Sequence, residues 1–319
     1  MRFTNCIKRS GLVIAAASLF ALAACSAGPG GNGVTPFVQQ ASSMASPPFG
    51  KSSKDLLYVS DSGTNEVLSY AWPNPKTAGV LNGSFSEPQG ECADTKGNVY
   101  ITNTGHSNIL EYAGTKLTNT LTDPRQYPVD CSYDTLNGNL AVSDIVSTGD
   151  GGGSVAIYKG AKGTPKIIGG GVLQRVYFIA YDGSGNLFAA GETSNYGVAF
   201  AELPAGSKKF KRICPNGVGG GALEFPGGLA WDGKYIVISN QDTQTVERIK
   251  GCSIVGKTVL EGSVDIVSFA IVGKYLIAPD AGAAQVEIYA YPQGGSPIQV
   301  LTGFSEPIGA AVSQNEKED

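Results

Sequence analysis

The sequence predicts an all-β fold: a six-bladed β-propeller with four-stranded blades, its ring closed three-plus-one by the C-terminal strand. Three observations predict it. Gly (44) and Pro (17) together make about 19% of the 319 residues, against ~12% in an average chain, which marks many turns and hence many short strands. A phrase of turn residues and short apolar runs recurs about every 43 residues, the length of one blade. The chain also enters this phrase in mid-unit and supplies the missing first strand only at its end.

The elements follow in chain order. Residues 1–24 read as a signal peptide. Arg2, Lys8 and Arg9 form a positive start, and the uncharged run Leu12–Ala24 is too short to span a bilayer with ease. The run ends Leu22-Ala23-Ala24-Cys25, which resembles the bacterial lipobox. That resemblance implies cleavage before Cys25, acylation of Cys25, and a membrane-held protein outside the cytoplasm, in the bacterial cell envelope. An acylated terminus of this kind is a stable anchor. Ser26 follows the cysteine and favours the periplasmic side of the outer membrane where the host has one. Residues 25–54 read as a tether rich in Gly, Ser, Ala and Pro, with a span of about 30 Å.

The propeller is expected over residues 55–313, with a charged tail at 314–319. Leu57–Tyr70 aligns without gaps on Val99–Tyr112, and Gly83-Ser-Phe-Ser-Glu-Pro returns as Thr302-Gly-Phe-Ser-Glu-Pro. The full unit is Pro-x-Gly, an apolar strand ending in Asp, a Gly-Asn turn, and a second strand ending in Asp or Asn. Pro88–Asp94, Pro128–Asp134 and Pro226–Asp232 carry its first half; Val176–Asp182 and the segment near Asp265 are degenerate, and Pro307–Ser313 restores it. The turn glycines 97, 138, 185, 233 and 273 are 41, 47, 48 and 40 residues apart. Each unit holds four strands, A to D, with A innermost. The first blade must borrow its A strand from Pro307–Val312, which leaves no open edge in the ring. This phrasing resembles the NHL-type repeats of six-bladed propellers. The resemblance implies the fold; propellers of this kind host several unrelated activities.

Charge and composition exclude some chemistry. The formal charge is −4, and loss of three basic residues with the signal peptide leaves 20 basic against 27 acidic residues. Nothing there would neutralise a nucleic-acid backbone. His106 is the one histidine, so no zinc site built on several imidazoles can form. It falls in a turn, as a general base or an exposed turn residue. No Gly-x-Ser-x-Gly nucleophile motif is present. Gly251–Thr258 matches the phosphate-loop pattern but falls on a C–D turn of the repeat, where a β strand is expected to follow in place of the helix that chemistry requires.

A carboxylate metal site is the sharper candidate. B strands end in Asp61, Asn103, Asp144, Asn240 and Asp280, with Glu192 in blade four. Asp130 and Asp265 start A strands three blades apart and are expected to face each other across the axis. Asp130, Asp265, Asn103 and Asn240 would offer oxygens to Ca²⁺ at the channel mouth where A strands begin. That set resembles the site of the calcium-dependent propeller lactonases related to gluconolactonase and regucalcin. The alternative is that each Asp or Asn caps its own turn. Beyond Ca²⁺, no cofactor is expected.

The cysteines left after Cys6 and Cys25 allow two disulfides, Cys92–Cys131 and Cys214–Cys252, or buried thiols. Trp72 and Trp231 read as packing residues. The preferred reading is a monomeric binding or scaffold module that takes a protein or small-molecule ligand at its channel face. A metal-dependent hydrolase is the alternative.

Overall fold

The structure is a computed structural model, and it describes residues 55–76, 79–123, 126–147, 151–215, 217–221, 225 and 227–313. The signal peptide, the tether with Cys25, and the tail lie outside the described residues.

The strands follow the repeat. Blade one holds β1 (Leu56–Asp61), β2 (Glu66–Ala71) and β3 (Gly79–Val80). Blade two holds β4 (Pro88–Ala93), β5 (Asn98–Asn103), β6 (Asn108–Ala113) and β7 (Lys116–Thr122). Blade three runs through β8 (Gln126–Tyr133), β9 (Leu140–Ser147), β10 (Ser154–Tyr158) and β11 (Lys166–Gly169). Blade four has β12 (Arg175–Tyr181), β13 (Leu187–Glu192), β14 (Val198–Leu203) and β15 (Lys211–Ile213). Blade five has β16 (Leu229–Trp231), β17 (Ile236–Asn240), β18 (Thr245–Lys250) and β19 (Ser253–Val259). Blade six has β20 (Ala270–Val272), β21 (Tyr275–Asp280), β22 (Gln285–Ala290) and β23 (Gln299–Thr302); β24 (Pro307–Val312) remains.

Six four-stranded antiparallel sheets result, and the first has the order β24-β1-β2-β3. The C-terminal strand therefore completes the first blade. Leu57 pairs with Val312 and Val59 with Ala310. Ser313 seals the outer end, since its N–H donates to Leu56 O at 2.9 Å and its hydroxyl accepts from Leu56 N at 3.0 Å.

Packing explains the apolar runs. The described core divides into six hydrophobic clusters, one at each junction between neighbouring blades. Each sheet is buried on both faces, so central strands such as Ile236–Asn240 lose the strict apolar–polar alternation of a half-exposed sheet. The outer strands β7 and β19 are largely exposed instead.

The Pro-x-Gly phrase has a steric cause. A Cβ on Gly309 would stand 2.1 Å from Gln89 O, and one on Gly90 would stand 2.6 Å from Asp130 Cα. Both glycines let the inner strands of successive blades touch where they begin. The Gly-Asn turn has a conformational cause. Gly185 adopts φ 77° while Asp182 Oδ1 accepts from Ser184 N and Asn186 N, a side-chain-capped turn. In blades five and six the inner ladder is short, and Ile266 makes only an isolated bridge to Asp280. Blade six is one of the two whose A strand lacks the proline.

The phosphate-loop pattern becomes a hairpin. Gly251 turns between β18 and β19, and Gly256, Lys257 and Thr258 lie within β19. Gly256 leaves room for the Arg248 guanidinium, and Lys257 pairs with Glu247 at 2.7 Å.

Candidate functional site

The ends of the B strands show what their Asp and Asn residues do. Asp61 accepts from Ser305 N and Glu306 N, each at 2.8 Å, and from Gly63 N at 3.2 Å. Asp280 accepts from Val264 N, Asp265 N and Ala283 N. Asn103 Oδ1 accepts from Ser86 N at 2.7 Å, and its Nδ2 donates to Ser84 O and Asn108 Oδ1. Asn240 accepts from Asp242 N and donates to Glu247. These are caps for the D–A connection or for the following turn. The repeated Phe-Ser-Glu-Pro phrase serves the same cap: its Ser N–H meets the B-strand Asp or Asn, and its Phe packs on a C-strand tyrosine, Phe85 on Tyr112 and Phe304 on Tyr70.

The four residues expected to share one metal are not brought together. Asp130 is 6% exposed, and its Oδ2 accepts from Ile179 N of the next blade at 2.9 Å. It thus satisfies an N–H on the bare inner edge of β12. Asp265 does not face it. Ile271 pairs with Leu276 as Tyr133 pairs with Leu140, which puts Ser268 at the level of Asp130. Asp265 lies three residues, or about 10 Å, further back along the chain. The degenerate start of this blade hid that offset. Asn103 and Asn240 stay with their own blades, as above. His106 is exposed, with Nδ1 3.1 Å from Ser84 O.

Both cysteine pairs form disulfides, Cys92–Cys131 with Cα atoms 5.6 Å apart and Cys214–Cys252 with Cα atoms 5.2 Å apart. Inner strands of neighbouring blades are close enough for the first because the glycines above draw them together. The second ties blade four to the C–D turn of blade five.

The axial cavity opens at the other end of the inner strands from the mouth expected from sequence. It has a volume of about 350 Å³ and is lined by the second halves of all six A strands and by A–B turns. Tyr133, Tyr181 and Trp231 form an aromatic arc in it, with the Cys92–Cys131 disulfide beside them. Trp231 is therefore a channel residue as well as a packing residue, whereas Trp72 is buried against Tyr275.

Glu91 also lines this cavity. It occupies an A-strand position where the other blades carry Cys131, Ile179, Leu229, Phe269 and Ala310. Ser60 Oγ donates to its Oε1 at 2.6 Å, and its Oε2 has no hydrogen-bond partner. Burial pushes its carboxyl up to about 8, with the Ser60 hydroxyl and the Ala311 N–H acting in the opposite sense. Its carboxyl is thus held within the blade one–blade two junction, against Ser60 and Ala311. Sequence reasoning passed over it, although an acid at an apolar repeat position was a legible signal. Asp130 is likewise raised by burial, to about 8.

No protein-family model matches the chain, and no curated protein matches it either. Among solved structures, a chain in the crystal structure of a nidogen/laminin complex superposes with a TM-score of 0.66 at 15% identity, covering 82% of this chain and 98% of that one. That likeness is one of fold, and with the six observed sheets it defines the class: a six-bladed β-propeller.

Proposed function

We propose that the protein is a lipid-anchored, extracytoplasmic propeller of the bacterial cell envelope that binds a partner protein or small ligand at its channel face. The observation that carries the binding reading is the axial cavity onto which all six inner strands converge, lined by Tyr133, Tyr181 and Trp231 together with Asp94, Thr95, Ser132 and Asp182. A concave site of this size, in which aromatic and aliphatic side chains alternate with acidic and hydroxyl groups, can hold and orient a ligand. The neighbour of like fold comes from a protein–protein complex, which agrees with a binding role. The Leu-Ala-Ala-Cys25 box supports the anchor, and two disulfides agree with an oxidising compartment.

Two measurements test the two halves. Cys25→Ser is expected to abolish incorporation of labelled palmitate; incorporation into the variant overturns the anchor. A photo-crosslinking residue at Thr95, beside the cavity, is expected to give adducts in intact cells that the same residue at exposed Thr118 on β7 does not. Indistinguishable adducts at the two positions overturn the channel face as the binding surface.

A further inference from the structure

One junction carries an acidic pair that the capping scheme leaves unexplained. Asp144 holds the repeat position in β9 at which Asp61 ends β1 and Asp280 ends β21, although β9 itself runs on to Ser147. Those two carboxylates collect backbone N–H groups from the incoming connection. Asp144 does not, because Gln126 and Pro128 are drawn into an extended, bulged ladder with β9. What meets Asp144 is a second carboxylate, Asp123, from the connection between blades two and three.

The pair is sealed. Asp144 is 0% exposed and Asp123 is 1% exposed. Both Asp123 oxygens and Asp144 Oδ1 have no hydrogen-bond partner among the described residues. Ser154 Oγ stands 3.1 Å from Asp144 Oδ2 and 3.2 Å from Gln126 Oε1. Its one hydroxyl hydrogen can serve only one of them. Among the described residues the acceptors there outnumber the donors.

From this we propose that Asp123 and Asp144, with the side-chain oxygens of Gln126 and Ser154, hold one divalent calcium ion that pins the blade two–blade three connection. Two buried carboxylates must be neutralised by a shared proton or by a cation. One shared proton joins two of the three orphan oxygens and leaves the third without a partner. One doubly charged ion balances both charges and takes every free oxygen. The donors are all oxygen, with no imidazole or thiolate, which selects hard cations over zinc. A sealed pocket leaves little room for the waters that Mg²⁺ keeps, while Ca²⁺ accepts carboxylate, amide and hydroxyl oxygens together.

The test uses Ca²⁺ and Tb³⁺ as probes on the wild type and on Asp123→Asn/Asp144→Asn. Amides remove the repulsion, so the variant is expected to melt in chelator no lower than the wild type, which controls for folding. Millimolar Ca²⁺ is expected to raise the wild-type Tm by about 5 °C and leave the variant unmoved. Tyr158, whose hydroxyl donates to Thr122 O next to Asp123, is expected to sensitise Tb³⁺ emission. Tyr158→Phe should dim that emission without changing the Ca²⁺ shift. A wild-type Tm equal in chelator and in Ca²⁺, with a gain in Tm between pH 8 and pH 5 that is smaller in the double variant, overturns the proposal in favour of a shared proton. A Ca²⁺ shift that persists in the double variant overturns it by placing the ion elsewhere.

Discussion

The junction between blades six and one and the junction between blades two and three solve one geometric problem by different chemistry. Each must fasten an incoming connection to the end of a B strand. At the first, Asp61 takes Ser305 N and Glu306 N, and no covalent tie is present among the described residues. At the second, Asp144 faces Asp123 and, among the described residues, gains only the Ser154 hydroxyl, and a disulfide joins the inner strands, Cys92 to Cys131. The same residue type at the same repeat position is a stabilising cap in one blade and a buried, poorly partnered charge in another. The difference lies in what the preceding loop presents: free backbone N–H groups or a carboxylate.

Removing the first fastening altogether should have the largest effect. Truncation after Gly303 deletes β24 and two of the three N–H donors to Asp61, Ser305 and Glu306. The ring then has an open inner edge and a broken cluster between blades six and one. The expected outcome is loss of the cooperative thermal transition, read by circular dichroism. A melt within a few degrees of the full chain would show that closure is dispensable.

The second effect belongs to the other junction. Cys92→Ser/Cys131→Ser opens a tie across 39 residues, worth about 4 kcal/mol on a loop-entropy basis. Urea unfolding should show a loss of that order. A loss under about 1 kcal/mol would mean that glycine-mediated contact alone holds these strands.

The two aspartates should then respond with opposite sign. Asp61→Ala removes three charge-assisted hydrogen bonds and should cost about 3 kcal/mol. Asp144→Asn, measured in chelator, should gain up to about 1 kcal/mol by relieving a buried charge. Equal losses in both variants would erase the contrast between the junctions.

The smallest effect is on pH dependence. Glu91 and Asp130 are each raised to about 8 and Asp123 to about 6, all chiefly by burial. A carboxyl whose folded pKa exceeds its unfolded value near 4 binds its proton more tightly when folded, so stability falls as pH rises from about 4 to 8. Glu91→Gln should flatten that slope and raise the Tm at pH 8 by about 2–4 °C. A Tm that increases with pH across this window would contradict the burial argument.

Much of this architecture was legible in the chain. The repeat spacing, the Gly-Asn turns and the displaced Pro307–Val312 strand follow from local steric rules that act wherever the residues occur. Cysteine order left two outcomes open, and the close approach of Gly90 and Gly309 to neighbouring strands decided between them. The candidate metal set shows the limit. Asp130 and Asp265 appeared equivalent because blade six departs from the phrase, and the ladder Ile271–Leu276 put Ser268 there instead.

Sequence by itself determined the number of blades, their strand order, the way the ring closes and the turn chemistry, because periodicity and backbone conformation are written in neighbouring residues. Only the tertiary structure decided which end of the channel opens, that the Glu91 carboxyl is buried against Ser60, and that Asp123 comes to rest against Asp144. Those depend on how strands from different blades approach one another, and on which backbone N–H groups remain free after the ladders have formed.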